Sequence, residues 1–421
     1  MHEWIRKRTV PSGSAEVEKV NPMIKIVKMI EHNKANCAGC YACYSVCPKK
    51  AITMQEDEEG FRYPVVNDEL CIQCEACGKV CPVMHPVPVK DNAIPQTYAA
   101  INEDWEVRRE SSSGGVFHLL AEKILEAGGT VFGAGFDENW EVCHQEVYSK
   151  EQLPKLQVSK YVQSRIEDTF MQVRKELQQG KKVLFSGTPC QCAGLQSYLQ
   201  RPYDNLFTVD FICHGVPSPG VWRKYLAYRR QGNEIGTISF RNKNLSWERY
   251  LLLFFFKNSN KYLGEDQYHD LYMRGFLQDL YLRPSCSVCK FRKQNRPVDI
   301  TLADYWGVQE AEPEMYDGKG TSLVFIQSEK GKKLFDQIQA KKKVSDFERA
   351  VSYNSSMLKQ FPPSPQRAAF FKEFQENKIP IDALLWKYVK PGRKERVRDM
   401  LKHVPGLTWG VRMVRKSFTK K

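Results

Sequence analysis

Residues 37–48 read CAGCYACYSVCP and residues 71–82 read CIQCEACGKVCP. Both follow the spacing Cys-x2-Cys-x2-Cys-x3-Cys-Pro, which curls three thiolates onto one tight loop and sets a fourth just beyond it. Paired runs of this kind hold two 4Fe-4S cubes, the fourth cysteine of each run crossing to the other cube. One cube therefore takes Cys37, Cys40, Cys43 and Cys81, and the second takes Cys71, Cys74, Cys77 and Cys47. A pair of structural zinc ions needs only two Cys-x2-Cys pairs each. Here a third cysteine and a closing Cys-Pro recur in both runs, which favours cubes. So many cysteines in short loops, with no export signal ahead of them, also argue for metal in a reducing compartment rather than disulfides.

Working outward, the spacer between the runs holds two β-prone stretches, residues 51–55 and 61–66, around an acidic turn closed by Gly60. This predicts a hairpin and completes a two-cluster, ferredoxin-like module over residues 31–83, behind an N-terminal extension (1–30). Proline-rich residues 84–97 form a linker. The chain of 421 residues leaves ample length for a larger core beyond it.

That body is expected to be α/β. A strand at 97–101 leads to RRESSSGG (108–115) and an amphipathic helical run, 116–127. Two strands then flank a turn, and a helix follows at 166–179. Residues 181–185 (KKVLF) and 206–212 are strands, each passing through a cysteine-bearing turn into a helix. Repeated strand, turn and helix predict a parallel layer whose strand carboxyl ends gather ligands, so Cys190 and Cys213 share one edge. Residues 235–256 are rich in strand, 267–282 are helical, and 300–302 form a further strand. GAGF at 133–136 lacks the helix and third glycine of a dinucleotide fingerprint. No run approaches the roughly 20 apolar residues of a membrane span, and no apolar signal segment follows the basic N-terminus, so a cytoplasmic protein is expected.

Of 14 cysteines, six lie outside the two runs: Cys143, Cys190, Cys192, Cys213, Cys286 and Cys289. Cys190, Cys213 and the Cys286/Cys289 pair together complete a third 4Fe-4S site; a structural zinc at Cys286/Cys289 with the other thiols merely buried is the competing reading. Cys192, two residues after Cys190, leaves open which of them binds iron; Cys190 is preferred because it directly follows Thr-Pro. The Ser/Gly turn before residue 116 suits a phosphate at a helix start, although alone such a turn is more often a plain cap.

SSGGVFHLLA (112–121), SKYVQS (159–164), SGTPCQCAGL (186–195), CHGVPSPGVW (213–222) and CSVCKFRKQNRPVDITLADYWG (286–307) occur in that order behind the cluster module. Over about residues 35–345 this ordered set resembles the coenzyme F420 hydrogenase/dehydrogenase beta-subunit family. The resemblance implies an oxidoreductase that binds FAD and iron–sulfur clusters in an α/β body, with an FAD-binding region at 98–180 and a second region, 181–345, carrying the third cluster. It implies electron exchange between a deazaflavin-type or unknown hydride carrier and the clusters, which lead to a partner protein. Carried over, the flavin site includes Ser112, Ser113, Gly114, Gly115, Lys160, Tyr161, Ser164, Thr188, Pro189 and Gln191, with Asp304 and Gly307 lining the same pocket. Lys160 stabilises negative charge on the cofactor, and His214 is either a proton donor or a hydrogen-bonded structural histidine. The alternative is a non-catalytic electron-transfer subunit of a larger redox or polysaccharide-synthesis system.

The net charge of +14 would suit nucleic acid, but from Leu385 onward 12 Lys and Arg face only two acidic residues, so +10 of it lies in the tail. No aromatic platform accompanies it, which excludes nucleic acid as a partner. A helical basic tail, 346–421, is expected either to rest on an anionic membrane surface or to pack on the body.

Overall fold

The computed structural model describes residue 30 and residues 33–89 and 93–391. The cysteine-rich module, residues 33–89, is built on the hairpin β1 (Ile52–Glu56) and β2 (Arg62–Val66). Its tip meets the body at Gly60 and Gly220, where a Cβ on Gly60 would stand 2.5 Å from the Gly220 Cα. Gly60 also turns with φ +85°, a conformation that only glycine adopts at little cost. Arg367 grips Glu59 through both guanidinium nitrogens.

In the body, eight strands form one mixed sheet: β3 (Gln96–Ile101), β4 (Thr130–Phe136), β5 (Val142–Val147), β6 (Val183–Ser186), β7 (Leu206–Phe211), β11 (Ile300–Asp304), β12 (Ser322–Ile326) and β13 (Lys341–Ser345). A second, antiparallel sheet of three strands, β8 (Ile235–Asn242), β9 (Leu251–Phe256) and β10 (Lys261–Asp266), lies between β7 and β11 in the chain. The order across the large sheet is β13-β3-β12-β11-β7-β6-β4-β5. Strands β4, β6, β7 and β11 are parallel, while β5, β12, β3 and β13 add antiparallel flanks. Alternation along each strand feeds two layers. On one face Val131 and Leu184 pack with the helices Val116–Glu126 and Glu329–Gln337. On the other, Phe132, Val183 and Phe185 pack with Thr169–Gln178 and Pro189–Leu199, and Tyr41 of the module enters this layer beside Phe132 and Cys192. Because both faces are covered, central strands such as β12 are buried along their whole length.

The three-stranded sheet packs its alternate side chains against Trp222 and Tyr225 of the helix Pro219–Arg230. The same core takes Phe370, Phe371, Phe374, Leu384 and Leu385. Residues 346–391, expected as the start of a basic tail, are therefore part of the body: the helices Phe347–Tyr353, Arg367–Glu376 and Ile381–Val389 bury their apolar faces in it. Residues 98–180 and 181–345 contribute strands to the same sheet, β4 and β6 being hydrogen-bonded neighbours. The aromatic and basic residues beyond 391, on which membrane contact would rest, lie outside the described residues, as does nearly all of the N-terminal extension.

Candidate redox site

The parallel strands all run toward one edge, and the cysteine-bearing turns lie there as the βα logic requires. After β6 the chain turns at Thr188, whose hydroxyl caps the next helix while the Gln191 side chain returns to the Thr188 N–H, a reciprocal cap with proline at the first helical position. This fixes Cys190 at the helix mouth. After β7 comes Cys213, and the Cys286/Cys289 loop closes over both. The four thiols ring a cavity of about 270 Å³. Burial above all, and then the neighbouring thiols, pushes Cys190 up to about 12 and Cys286 up to about 11. As free groups they stay neutral, and only a bound metal would hold them as thiolates. Cys192 faces away: fully buried, its Sγ lies 3.7 and 3.8 Å from the carbonyls of Gly187 and Val209.

The thiols of the module fall into two further sets. Cys40 and Cys43 lie close to Cys81, and Cys43 also to Cys37, so that charge on one would raise the others. Cys47, Cys71, Cys74 and Cys77 line a second hollow. The sets are neighbours in turn: Cys43 lies near enough to Cys77, and Cys40 to Cys190, for an ionised thiol of one to raise the other. A Cβ on Gly194 would stand 3.1 Å from the Cys40 Sγ, so the body helix presses directly on the module. Among the described residues no three cysteine, histidine or acidic side chains converge on a point for a single ion; the thiols ring hollows instead. The three sets make a line ending at the exposed Cys74.

Beside the four-thiol cavity lies a larger one of about 460 Å³, within the range of cofactor pockets. Both are walled by Cys213, Gly215 and Val216. At its far end, residues 112–115 are stitched between β3 and β12, Gly114 donating to the Ser322 hydroxyl and accepting from Asn102. A Cβ on Gly114 would fall 2.5 Å from the Ala100 carbonyl, so glycine is obligatory. The helix Val116–Glu126 then begins at Gly115 with no side-chain cap, which leaves N–H groups toward the cavity.

Residues 180–349 match the family model for the C terminus of the coenzyme F420 hydrogenase/dehydrogenase beta subunit, and residues 36–84 match a 4Fe-4S dicluster domain. The chain carries a beta-subunit-family domain behind an iron–sulfur module. No curated protein matches it significantly. Among solved structures it is similar to a chain of the F420-reducing NiFe hydrogenase complex from Methanosarcina barkeri, solved with xenon. That alignment has 15% identity and a TM-score of 0.43, over 66% of this chain and 99% of that one.

Ser112, Ser113, Gly115, Lys160, Tyr161, Ser164, Thr188, Gln191, His214 and Asp304 all line the larger cavity. Pro189 instead lines the four-thiol cavity, and Gly114 is packed behind the loop. Gly307 is also set back: its missing Cβ makes room for the Tyr353 ring, 2.3 Å from where that atom would stand, and Tyr353 reaches the cavity in its place. Half-buried Lys160 donates to the carbonyls of Gln157 (2.7 Å) and Lys155 (3.0 Å), and burial pushes it down to about 7. The His214 Nε2 lies 2.8 Å from Asp279 Oδ1, and its ring meets Phe276 edge-on. Tyr161 stacks on the same Phe276, 4.7 Å between centroids.

Sequence reasoning missed the second sheet's contribution. Buried Arg241, at the end of β8, donates to the Ser112 carbonyl (3.0 Å) and Asp304 (2.9 Å), lies 3.9 Å over the Tyr250 ring, and keeps its Nε without a partner. Lys243 supports the same loop through the Ser113 carbonyl at 2.6 Å, and burial pushes it down to about 7. His144 was missed as well; burial pushes it down to about 4, so it is neutral between Ser164 and the Ser186 carbonyl. Nothing local in the sequence marks these three, because only the packing of β8 and β5 onto the cavity brings them there.

Proposed function

We propose that this beta-subunit-family chain is a flavin-dependent iron–sulfur oxidoreductase. FAD lies in the larger cavity, a third 4Fe-4S cluster on Cys190, Cys213, Cys286 and Cys289, and two more in the module. The observation that carries this reading is the shared wall of Cys213, Gly215 and Val216, which sets a cofactor-sized cavity against a four-thiol cavity. The residues fit an anionic dinucleotide: the helix start at Gly115 is uncapped, and Arg241 and Lys160 are among the residues that line the cavity. A flavin bound there supplies the exchange between two-electron hydride and one-electron cluster chemistry. Gly114 and Lys243 hold the phosphate loop in place, while Tyr161 and Phe276 give an apolar wall that excludes water. His214 lines the cavity, with Asp279 beside its Nε2, and is placed to hold a proton there. The hydride carrier is a small molecule of deazaflavin or similar type, and a one-electron partner protein docks near the exposed Cys74.

Anaerobic purification is expected to give about 12 irons, four per cluster, and one FAD per chain. Iron without flavin would leave a pure electron relay, and zinc without iron would overturn the reading.

A second expectation concerns pH. Below about 7 Lys160 carries its charge and attracts the cofactor's anionic groups; above it the charge is lost. FAD affinity of the deflavinated, cluster-loaded protein should therefore fall as pH rises from 6 to 9, measured by flavin fluorescence. In Lys160→Met the affinity should be weaker at pH 6 and the slope flatter. Parallel profiles for the two proteins would remove Lys160 from the site.

A further inference from the structure

Arg283 is fully buried where module and body meet. Its Nε donates to the Cys37 carbonyl (2.8 Å), one terminal nitrogen to Gln163 Oε1 (3.0 Å) and the other to the Arg62 carbonyl (3.1 Å). The guanidinium lies 4.1 Å over the Tyr63 ring. A Cβ on Gly39, within the first cysteine loop, would come within 2.9 Å of the Arg283 Cζ, so that loop lies directly on the cation. On its other side, the Arg283 carbonyl accepts from the N–H of Cys286, at 2.9 Å. Every side-chain partner is therefore neutral, and no carboxylate among the described residues pairs with it. A guanidinium cannot shed its proton, and an uncompensated buried charge is costly.

We propose that Arg283 is the counter-charge of the two inner clusters, on the Cys37 and Cys190 sets, and that it raises the reduction potential of both. This rests on the cluster assignment above. Reducing such a cluster adds one electron and one unit of negative charge, with no bond made or broken. A fixed cation beside it favours that state, whereas the outer set, on Cys47, Cys71, Cys74 and Cys77, lies farther along the line.

The test is a potentiometric titration of the cluster-loaded full chain, followed by electron paramagnetic resonance. In Arg283→Gln the two inner clusters should become at least tenfold harder to reduce, about 59 mV for one electron, with the outer one unmoved. Arg283→Lys should recover most of the shift. Gln163→Glu, which keeps Arg283 and places a carboxylate against it, should lower the same two potentials and serves if Arg283→Gln loads poorly. Fully loaded variants with unchanged potentials, or an equal shift of all three clusters, would overturn the proposal. Iron content of the wild-type protein separates the two ideas: about eight irons instead of 12 would remove the third cluster and leave Arg283 to be read on the Cys37 set alone.

Discussion

Cys213→Ser protein purified without oxygen is expected to hold about eight irons where the wild type holds about 12, and to reduce its remaining clusters from dithionite but not from a hydride donor. Cys213 sits in the wall common to the two cavities, and its thiol is deeply buried among Cys190, Cys286 and Cys289. A serine oxygen replaces the sulfur with little change of shape, so the fold should survive while one ligand is lost. The rate of hydride-linked reduction should fall by at least two orders of magnitude, because the line from the cavity to Cys74 is then broken at its first station. Cys192→Ser is the matched control. Its sulfur faces two backbone carbonyls, to which a hydroxyl donates equally well, so iron content and rate should stay near wild type. If Cys213→Ser kept all its iron and rate, while Cys192→Ser lost them, the third site would have to be built on Cys192.

That contrast also shows where sequence stops being informative. The module was legible because ligand spacing is itself geometry: three thiols on one loop leave the chain few alternatives. The repeated strand, turn and helix around Cys190 and Cys213 were legible for a similar reason, since the Thr-Pro-x-Gln cap is a local device. Between Cys190 and Cys192 the spacing was silent, and the helix start decided their directions. Strand β12 went unread because a wholly buried run such as residues 322–326 has no alternation to display, and β13 because its three lysines read as a charged surface run. Residues 367–389 were read as tail because the family resemblance ends near residue 345 and a basic run follows from Leu385. Phe370, Phe374 and Leu385 recur on the opposite helical faces and find a core supplied by strands more than a hundred residues away. Arg241 and Asp304 are the sharpest case. One was unremarked at the end of a strand, the other was assigned to the pocket by resemblance, and only the fold makes them a pair.

Their pairing has a measurable consequence. The Arg241 side chain is 1% exposed, and Asp304 Oδ1 accepts from it at 2.9 Å and from the Trp247 indole at 2.7 Å. Asp304→Ala leaves a buried guanidinium without its counter-charge and an indole N–H without an acceptor, a loss of about 3–5 kcal/mol. Unfolding in urea should shift to markedly lower concentration, and bound FAD should be lost early, because Arg241 also holds the Ser112 carbonyl in the loop that walls the larger cavity. Asp304→Asn keeps an acceptor but not the charge and should fall between Asp304→Ala and wild type. The double variant Arg241→Leu/Asp304→Ala should recover stability relative to Asp304→Ala, since it removes the stranded charge along with its partner, yet it should not recover FAD. Stability and flavin recovering together in the double variant would make the pair purely structural, and Asp304→Ala unfolding at the wild-type midpoint would show that Arg241 finds its counter-charge elsewhere.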